Sequence, residues 1–111
     1  MNTDEDEYVS VAKVGDIPEN GQRVLNLGGR PVLLCHSKGE YFAVENMCTH
    51  EYTPLQGGTM SQCVIVCPLH GAEFDLRTGR ALTAPAYDPL STYPVRINGD
   101  MIEVGRTPNP I

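Results

Sequence analysis

Four residues carry the chemistry this sequence can do. Cys48 and His50 are separated by one residue in Cys48-Thr49-His50. Cys67 and His70 are separated by two in Cys67-Pro68-Leu69-His70, and 16 residues lie between His50 and Cys67. Thiolate sulfur and imidazole nitrogen are both transition-metal ligands. Two metal chemistries use two of each. One is structural zinc, with four ligands arranged tetrahedrally on a single ion. The other is a two-iron, two-sulfide cluster in which two His replace two Cys on one of the irons. Zinc fingers pair Cys with Cys and His with His along the chain. Here each segment supplies one Cys and one His. That mixed order suits two parallel fingers, each giving its Cys to one iron and its His to the other, and it favours the two-iron cluster without excluding zinc.

Neither chemistry needs the other reactive side chains. Cys35 and Cys63 fall in strand-like runs and are expected as small buried apolar residues. His36 is expected as an ordinary surface residue. The N-terminus is acidic and polar, unlike an export signal. The cysteines are therefore expected to be reduced, metal-bound or buried, and the location cytoplasmic. The longest apolar run, Cys63 to Cys67, has five residues, against the roughly 20 that span a membrane. Eight Lys and Arg against 14 Asp and Glu give a net charge of −6. A chain with so little basic surface is a poor ligand for nucleic acid or anionic membranes.

The elements that must position the four residues are short. The chain has 111 residues, enough for one domain, and contains 11 Gly and 9 Pro. Strand signals mark Tyr8 to Val14, Val24 to Leu27, Pro31 to Cys35, Glu40 to Val44, Cys63 to Cys67, Ala72 to Leu76, Tyr93 to Ile97 and Met101 to Val104. Lys38-Gly39 reads as a tight turn. Asn98-Gly99 reads as the two central residues of a type I′ hairpin turn. Closely spaced short strands imply an antiparallel all-β sandwich or barrel. Segments 46–62 and 77–92 are expected as loops, and long loops in small domains carry function. Residues 1–7 form an acidic tail expected to be disordered, and 106–111 a C-terminal tail expected to fray.

Cys48-Thr49-His50, taken with Cys67-Pro68-Leu69-His70-Gly71-Ala72-Glu73-Phe74-Asp75, resembles the Rieske motif, C-T-H and C-P-x-H-G-x-x-[FY]-[DN]. Asn46-Met47, Gly57-Gly58, Thr78-Gly79 and Pro85 agree with the flanking pattern. The resemblance covers about 8–105. It implies the Rieske fold, an antiparallel β base with an inserted cluster-binding subdomain at about 45–86. It also implies one [2Fe-2S] cluster, with Cys48 and Cys67 on the inner iron and His50 and His70 on the outer one. Pro85 would cover a third side, and Gly71 would let backbone approach the cluster. Respiratory and photosynthetic members carry a further Cys in each loop, joined as a disulfide. Those positions are Thr53 and Leu69 here, so this chain resembles the oxygenase-associated branch. High-potential members also carry Ser and Tyr donors two and four residues after the second His, where this chain has Ala72 and Phe74.

Such a cluster moves one electron and offers no open coordination position. A ring-hydroxylating oxygenase needs a further iron held by two His and a carboxylate. Of three His, two are assigned to the cluster, so this chain is expected to feed an oxygenase rather than to be one. The partners implied are an NAD(P)H-dependent flavoprotein reductase and a terminal oxygenase acting on aromatic rings. The small subunit of an assimilatory nitrite reductase and a non-redox zinc-binding module are the alternatives. Residues 39–76 hold no Lys or Arg but carry Glu40, Glu45, Glu51, Glu73 and Asp75, a local −5 suited to basic docking patches. Pro54, Leu55, Leu69 and Pro85 are expected as an apolar rim around the histidines.

Overall fold

The computed structural model describes residues 7–49, 53–69, 71–84, 86 and 88–110. Among the described residues ten strands run antiparallel to their neighbours: β1 (Tyr8–Lys13), β2 (Gln22–Leu27), β3 (Arg30–Ser37), β4 (Glu40–Glu45), β5 (Met60–Ser61), β6 (Val64–Val66), β7 (Glu73–Asp75), β8 (Thr92–Tyr93), β9 (Val95–Asn98) and β10 (Met101–Gly105). They form three sheets in the orders β1-β10-β9, β2-β3-β4-β8 and β5-β6-β7. Among the described residues no helix is long and apolar enough to cross a membrane. The acidic segment 1–6 lies outside the described residues.

The central sheet is encoded locally. Gly28 and Gly29, at φ +62° and +91°, join β2 to β3. Lys38 and Gly39, at +52° and +76°, join β3 to β4. Positive φ at both central residues is what a type I′ turn demands. The third hairpin differs from its expected form. Asn98 pairs with Met101, so Gly99-Asp100 is the connection, and only Gly99 has positive φ. Cross-strand packing explains the shift, because the observed register sets Ile97 opposite Ile102 and Val95 opposite Val104. A loop of Asn98-Gly99 would have set Ile97 against Asp100.

The run Tyr93 to Ile97, expected as one strand, divides at Pro94. β8 pairs with β4 in one sheet and β9 with β10 in another. Pro94 has no N–H to give a ladder, but its carbonyl accepts the Gly105 amide at 2.8 Å. A Cβ at Gly105 would sit 2.5 Å from Pro94 Cγ, so the crossing needs glycine there. Segment 46–62 was expected to be all loop. It contains the two-residue β5, too short to leave a period in sequence. Val14 lies just past β1 and is exposed. The described part of the C-terminal tail is tethered rather than frayed. The Asn109 amide donates to the Thr92 carbonyl at 2.7 Å, and the Arg106 amide to the Glu7 carbonyl at 2.7 Å.

Alternation along β3 divides the interior in two. Val32 and Leu34 face a base core with Ala12, Ile17, Ala43, Ile102 and Val104. Leu33 and Cys35 face a second core with Val44, Leu55, Ile65, Phe74, Leu90, Cys48 and Cys67. Successive strand residues point to opposite faces, and β3 is covered on both. His36 is a packed side chain, unlike its expected surface role. Its ring stacks on Tyr41 with centroids 4.4 Å apart, and Nδ1 lies 2.8 Å from the Ile17 carbonyl oxygen, as a donor. Nearby, the Glu19 carboxylate accepts the amides of Lys38 and Gly39 at the β3–β4 turn, with His36 Nε2 3.7 Å away. The Lys38 and Gly39 amides hold that carboxyl below its ordinary range, more than the nearby His36 does.

Candidate metal centre

Two hairpin loops rise from the second core, and each is closed at its root by its cysteine. The Cys48 amide donates to the Thr53 carbonyl at 2.6 Å, forming an isolated antiparallel bridge. The Cys67 amide donates to the Ala72 carbonyl at 2.7 Å, and the Gly71 amide donates back to the Cys67 carbonyl at 3.0 Å. In both loops the cysteine amide therefore reaches the carbonyl five residues on. Both cysteines are buried in the same core. His50 and His70 fall between these closures in sequence but lie outside the described residues, as do Glu51 and Pro85. Gly71 has φ +73°, so its own backbone conformation calls for glycine.

Side-chain amides pin the first loop to the base. Asn46 is buried; its Oδ1 accepts the Leu55 and Gln56 amides at 3.0 and 2.9 Å. Its backbone N–H donates to the Pro31 carbonyl at 2.9 Å. Gln22 on β2 grips the next turn from both ends of its amide. Nε2 donates to the Gly58 carbonyl at 2.7 Å, and Oε1 accepts the Gly57 amide at 3.0 Å. Gly58 presses on the second loop's stem, where a Cβ would come within 2.2 Å of the Val66 carbonyl oxygen. Thr49 Oγ1 donates to the Asp88 carbonyl at 2.7 Å, tying the first loop to segment 77–92. Asn46 was visible in sequence only as a motif flank. Nothing in the sequence pointed to Gln22, because its role depends on how closely β2 approaches the loop.

The wall behind the cysteines is apolar. Ala72 and Phe74 are fully buried and carry no hydroxyl. Cys35 shares this core, and burial pushes its thiol up to about 12. Cys63 is buried as expected, and its backbone does more than fill space. It adopts φ +63° in the β5–β6 turn, its amide donates to Ser37 Oγ at 3.0 Å, and its carbonyl accepts the Leu76 amide at 2.9 Å.

Two surface expectations change. Leu69 is 62% exposed and Pro54 is exposed, but Leu55 is fully buried and belongs to the core rather than the rim. The acidic run is also partly engaged by its neighbours. Arg77 Nη2 donates to Glu40 Oε2 at 3.1 Å and its amide to Asp75 Oδ1 at 2.8 Å. Glu45 Oε1 accepts the Ser91 amide at 2.8 Å.

The donor set fits an iron–sulfur group. Two cysteines stand at the roots of two loops of like closure, in one dry core, with an imidazole placed by sequence within each loop. The family model for the Rieske [2Fe-2S] domain matches residues 7–94. The chain belongs to the Rieske family. The cofactor of this Rieske domain is one [2Fe-2S] cluster. The chain is 33% identical over 99 residues to the ferredoxin component of a naphthalene 1,2-dioxygenase system from Pseudomonas aeruginosa, covering 89% of this chain and 95% of that one. It is 41% identical over 88 residues to the 3-phenylpropionate/cinnamic acid dioxygenase ferredoxin subunit of Shigella flexneri, covering 78% and 81%. The solved ferredoxin of carbazole 1,9a-dioxygenase from Nocardioides aromaticivorans superposes with a TM-score of 0.85 at 28% identity, covering 89% and 97%. A chain from a complex of reduced oxygenase and oxidised ferredoxin in carbazole 1,9a-dioxygenase superposes with a TM-score of 0.88 at 27% identity, covering 94% and 97%. The all-β antiparallel fold is that of these Rieske ferredoxins.

Proposed function

We propose that this Rieske domain is a soluble cytoplasmic ferredoxin carrying single electrons from an NAD(P)H-dependent flavoprotein reductase to a terminal aromatic-ring dioxygenase. Residues 45–86 act as its cluster-holding part. Cys48 and Cys67 ligate the inner iron as thiolates, and His50 and His70 ligate the outer iron through imidazole nitrogen. The cluster, when bound, accepts and releases one electron.

The observation that carries this reading is the pair of like-closed loops rooted in one apolar core. Each root buries a cysteine away from water, each loop's histidine follows its cysteine within a few residues in sequence, and the second loop carries the exposed Leu69. The core residues orient the two thiolates and exclude water from them. The exposed apolar tip suits brief contacts with successive partners. The curated relatives are named as ferredoxin components of dioxygenase systems, which supports the carrier role. With one histidine left over, this chain has too few to build the oxygenase's own mononuclear iron site.

A visible spectrum of the purified protein, with reductase and oxygenase supplied separately, tests the assignment. A Rieske spectrum bleached by reductase with NAD(P)H and restored by the oxygenase is expected. His50→Ala and His70→Ala should each lose that spectrum. A full-strength spectrum in either variant would overturn the ligand set, and a colourless protein binding zinc would overturn the carrier role.

A further inference from the structure

We propose that the Thr53 hydroxyl donates a hydrogen bond to a sulfur of the [2Fe-2S] cluster and so raises its reduction potential. The proposal rests on the reading of Cys48 as an iron ligand.

Two independent observations lead to it. The first is register. Cys48 and Thr53 face each other across the antiparallel bridge at the root of the first loop. Residues directly opposite in such a bridge carry their side chains on the same face, with Cβ atoms roughly 4.5–5.5 Å apart. Thr53 therefore stands beside the thiolate that Cys48 would give to the inner iron. The second is an unmet need. Thr53 Oγ1 is shielded from solvent and has no hydrogen-bond partner among the described residues, where every other buried side-chain nitrogen and oxygen has one. A hydroxyl buried without a partner is unfavourable, and an unpaired one in a native fold calls for an explanation.

The chemistry of the core names the partner. Leu55, Ala72 and Phe74 lie in that core and offer no side-chain acceptor. Cluster sulfides and thiolates carry negative charge and accept hydrogen bonds from O–H groups. Hydrogen bonds to charged acceptors are the stronger class. An added electron increases the negative charge on those sulfurs. A donor then favours the reduced state over the oxidised one, and the potential rises. In this way Thr53 supplies from the first loop a hydroxyl that Ala72 and Phe74 lack on the second.

Voltammetry of the cluster-loaded protein tests this with a pair of variants. Thr53→Val keeps the shape and removes the hydroxyl; Thr53→Ser keeps the hydroxyl and removes the methyl. We expect Val to weaken reduction about tenfold, a fall of about 59 mV for one electron. Ser should stay within about twofold of wild type, because the charge-assisted bond survives. An unchanged potential in Thr53→Val, with its Rieske spectrum intact, would overturn the proposal. So would a Ser variant that shifts as far as Val, because that would assign the effect to packing. If Val does not hold a cluster, Thr53→Ala read against Thr53→Ser makes the same comparison. A wild-type protein without a Rieske spectrum would instead sink the ligand assignment, and this proposal with it.

Discussion

On the base side of β3, every strand but the two-residue β8 has four to eight residues, and the strands bury mainly aliphatic side chains between them. On the other side, β5, β6 and β7 have two, three and three residues, and Cys35, Cys48 and Cys67 stand in the core. Strands that short cannot hold a sheet by pairing alone. Asn46, Gln22, Ser37 and Thr83 side chains supply the missing connections by bonding backbone groups across the gap. The base is thus stabilised by pattern and packing. The metal side is stabilised by a few specific polar pins together with its cofactor, so the two halves should fail in different ways.

Removal of the cluster should have the largest effect. Metal binding to such sites is coupled to folding. Stripping the iron, or replacing Cys48 or Cys67 with Ala, should abolish the visible spectrum and cut the melting temperature. Hydrogen exchange should then speed up across 46–90 while β1, β9 and β10 keep their protection. Uniform loss of protection in both halves would break the distinction.

Asn46→Ala comes next. It strands the Leu55 and Gln56 amides, and an unsatisfied buried donor costs roughly 1–3 kcal/mol. We expect about 2–4 kcal/mol in denaturant titration, together with faster cluster loss. Leu34→Ala should cost a similar 2–5 kcal/mol through its cavity, yet leave the rate of cluster loss nearly unchanged once folded.

Phe74→Tyr probes the site with little change in stability. Its ring is fully buried beside the cysteines. A hydroxyl added there should raise the potential by tens of millivolts, because a bond to a charged group is worth roughly 1.5–3 kcal/mol at most and about 1.4 kcal/mol is 59 mV. Wild type should lie low in the Rieske range, around −150 mV. A value above about +100 mV would contradict the reading of a donor-poor wall.

The smallest effect belongs to Glu19, at the edge of the base. Its carboxyl titrates below its ordinary value of 4.5 because it accepts the Lys38 and Gly39 amides. The stability it adds is present at neutral pH and is lost as pH falls below 4.5 through its folded value. Glu19→Gln should therefore flatten the acid limb of the stability curve slightly and leave the cluster's potential alone.

The same division explains what could be read in the sequence. The proposed ligands Cys48, His50, Cys67 and His70 announce themselves because ligand chemistry restricts residue type and spacing. β1 to β4 do so because apolar runs between Gly-rich turns leave a local signature. The 93–97 run reads as one strand although Pro94 is its second residue, since a proline at a sheet switch looks like one at a strand edge. The Asn98-Gly99 turn moved by one residue because cross-strand isoleucines and valines outweigh turn propensity. β5, Gln22 and Ser37 were invisible because a two-residue strand has no period, and a side chain's distant partner leaves no mark nearby. Counting charges within 39–76 does not reveal that Arg77, just beyond the run, pairs with Glu40.

β3 has a consequence for inheritance and engineering. Its neighbouring positions answer to unrelated demands: Val32 and Leu34 to whether the scaffold survives, Leu33 and Cys35 to whether the metal stays. A saturation library along this one strand should sort by parity, with odd and even positions giving colour phenotypes and yield phenotypes in turn. The scaffold-facing half of that library could then drift toward other hosts or temperatures while the redox properties were held fixed.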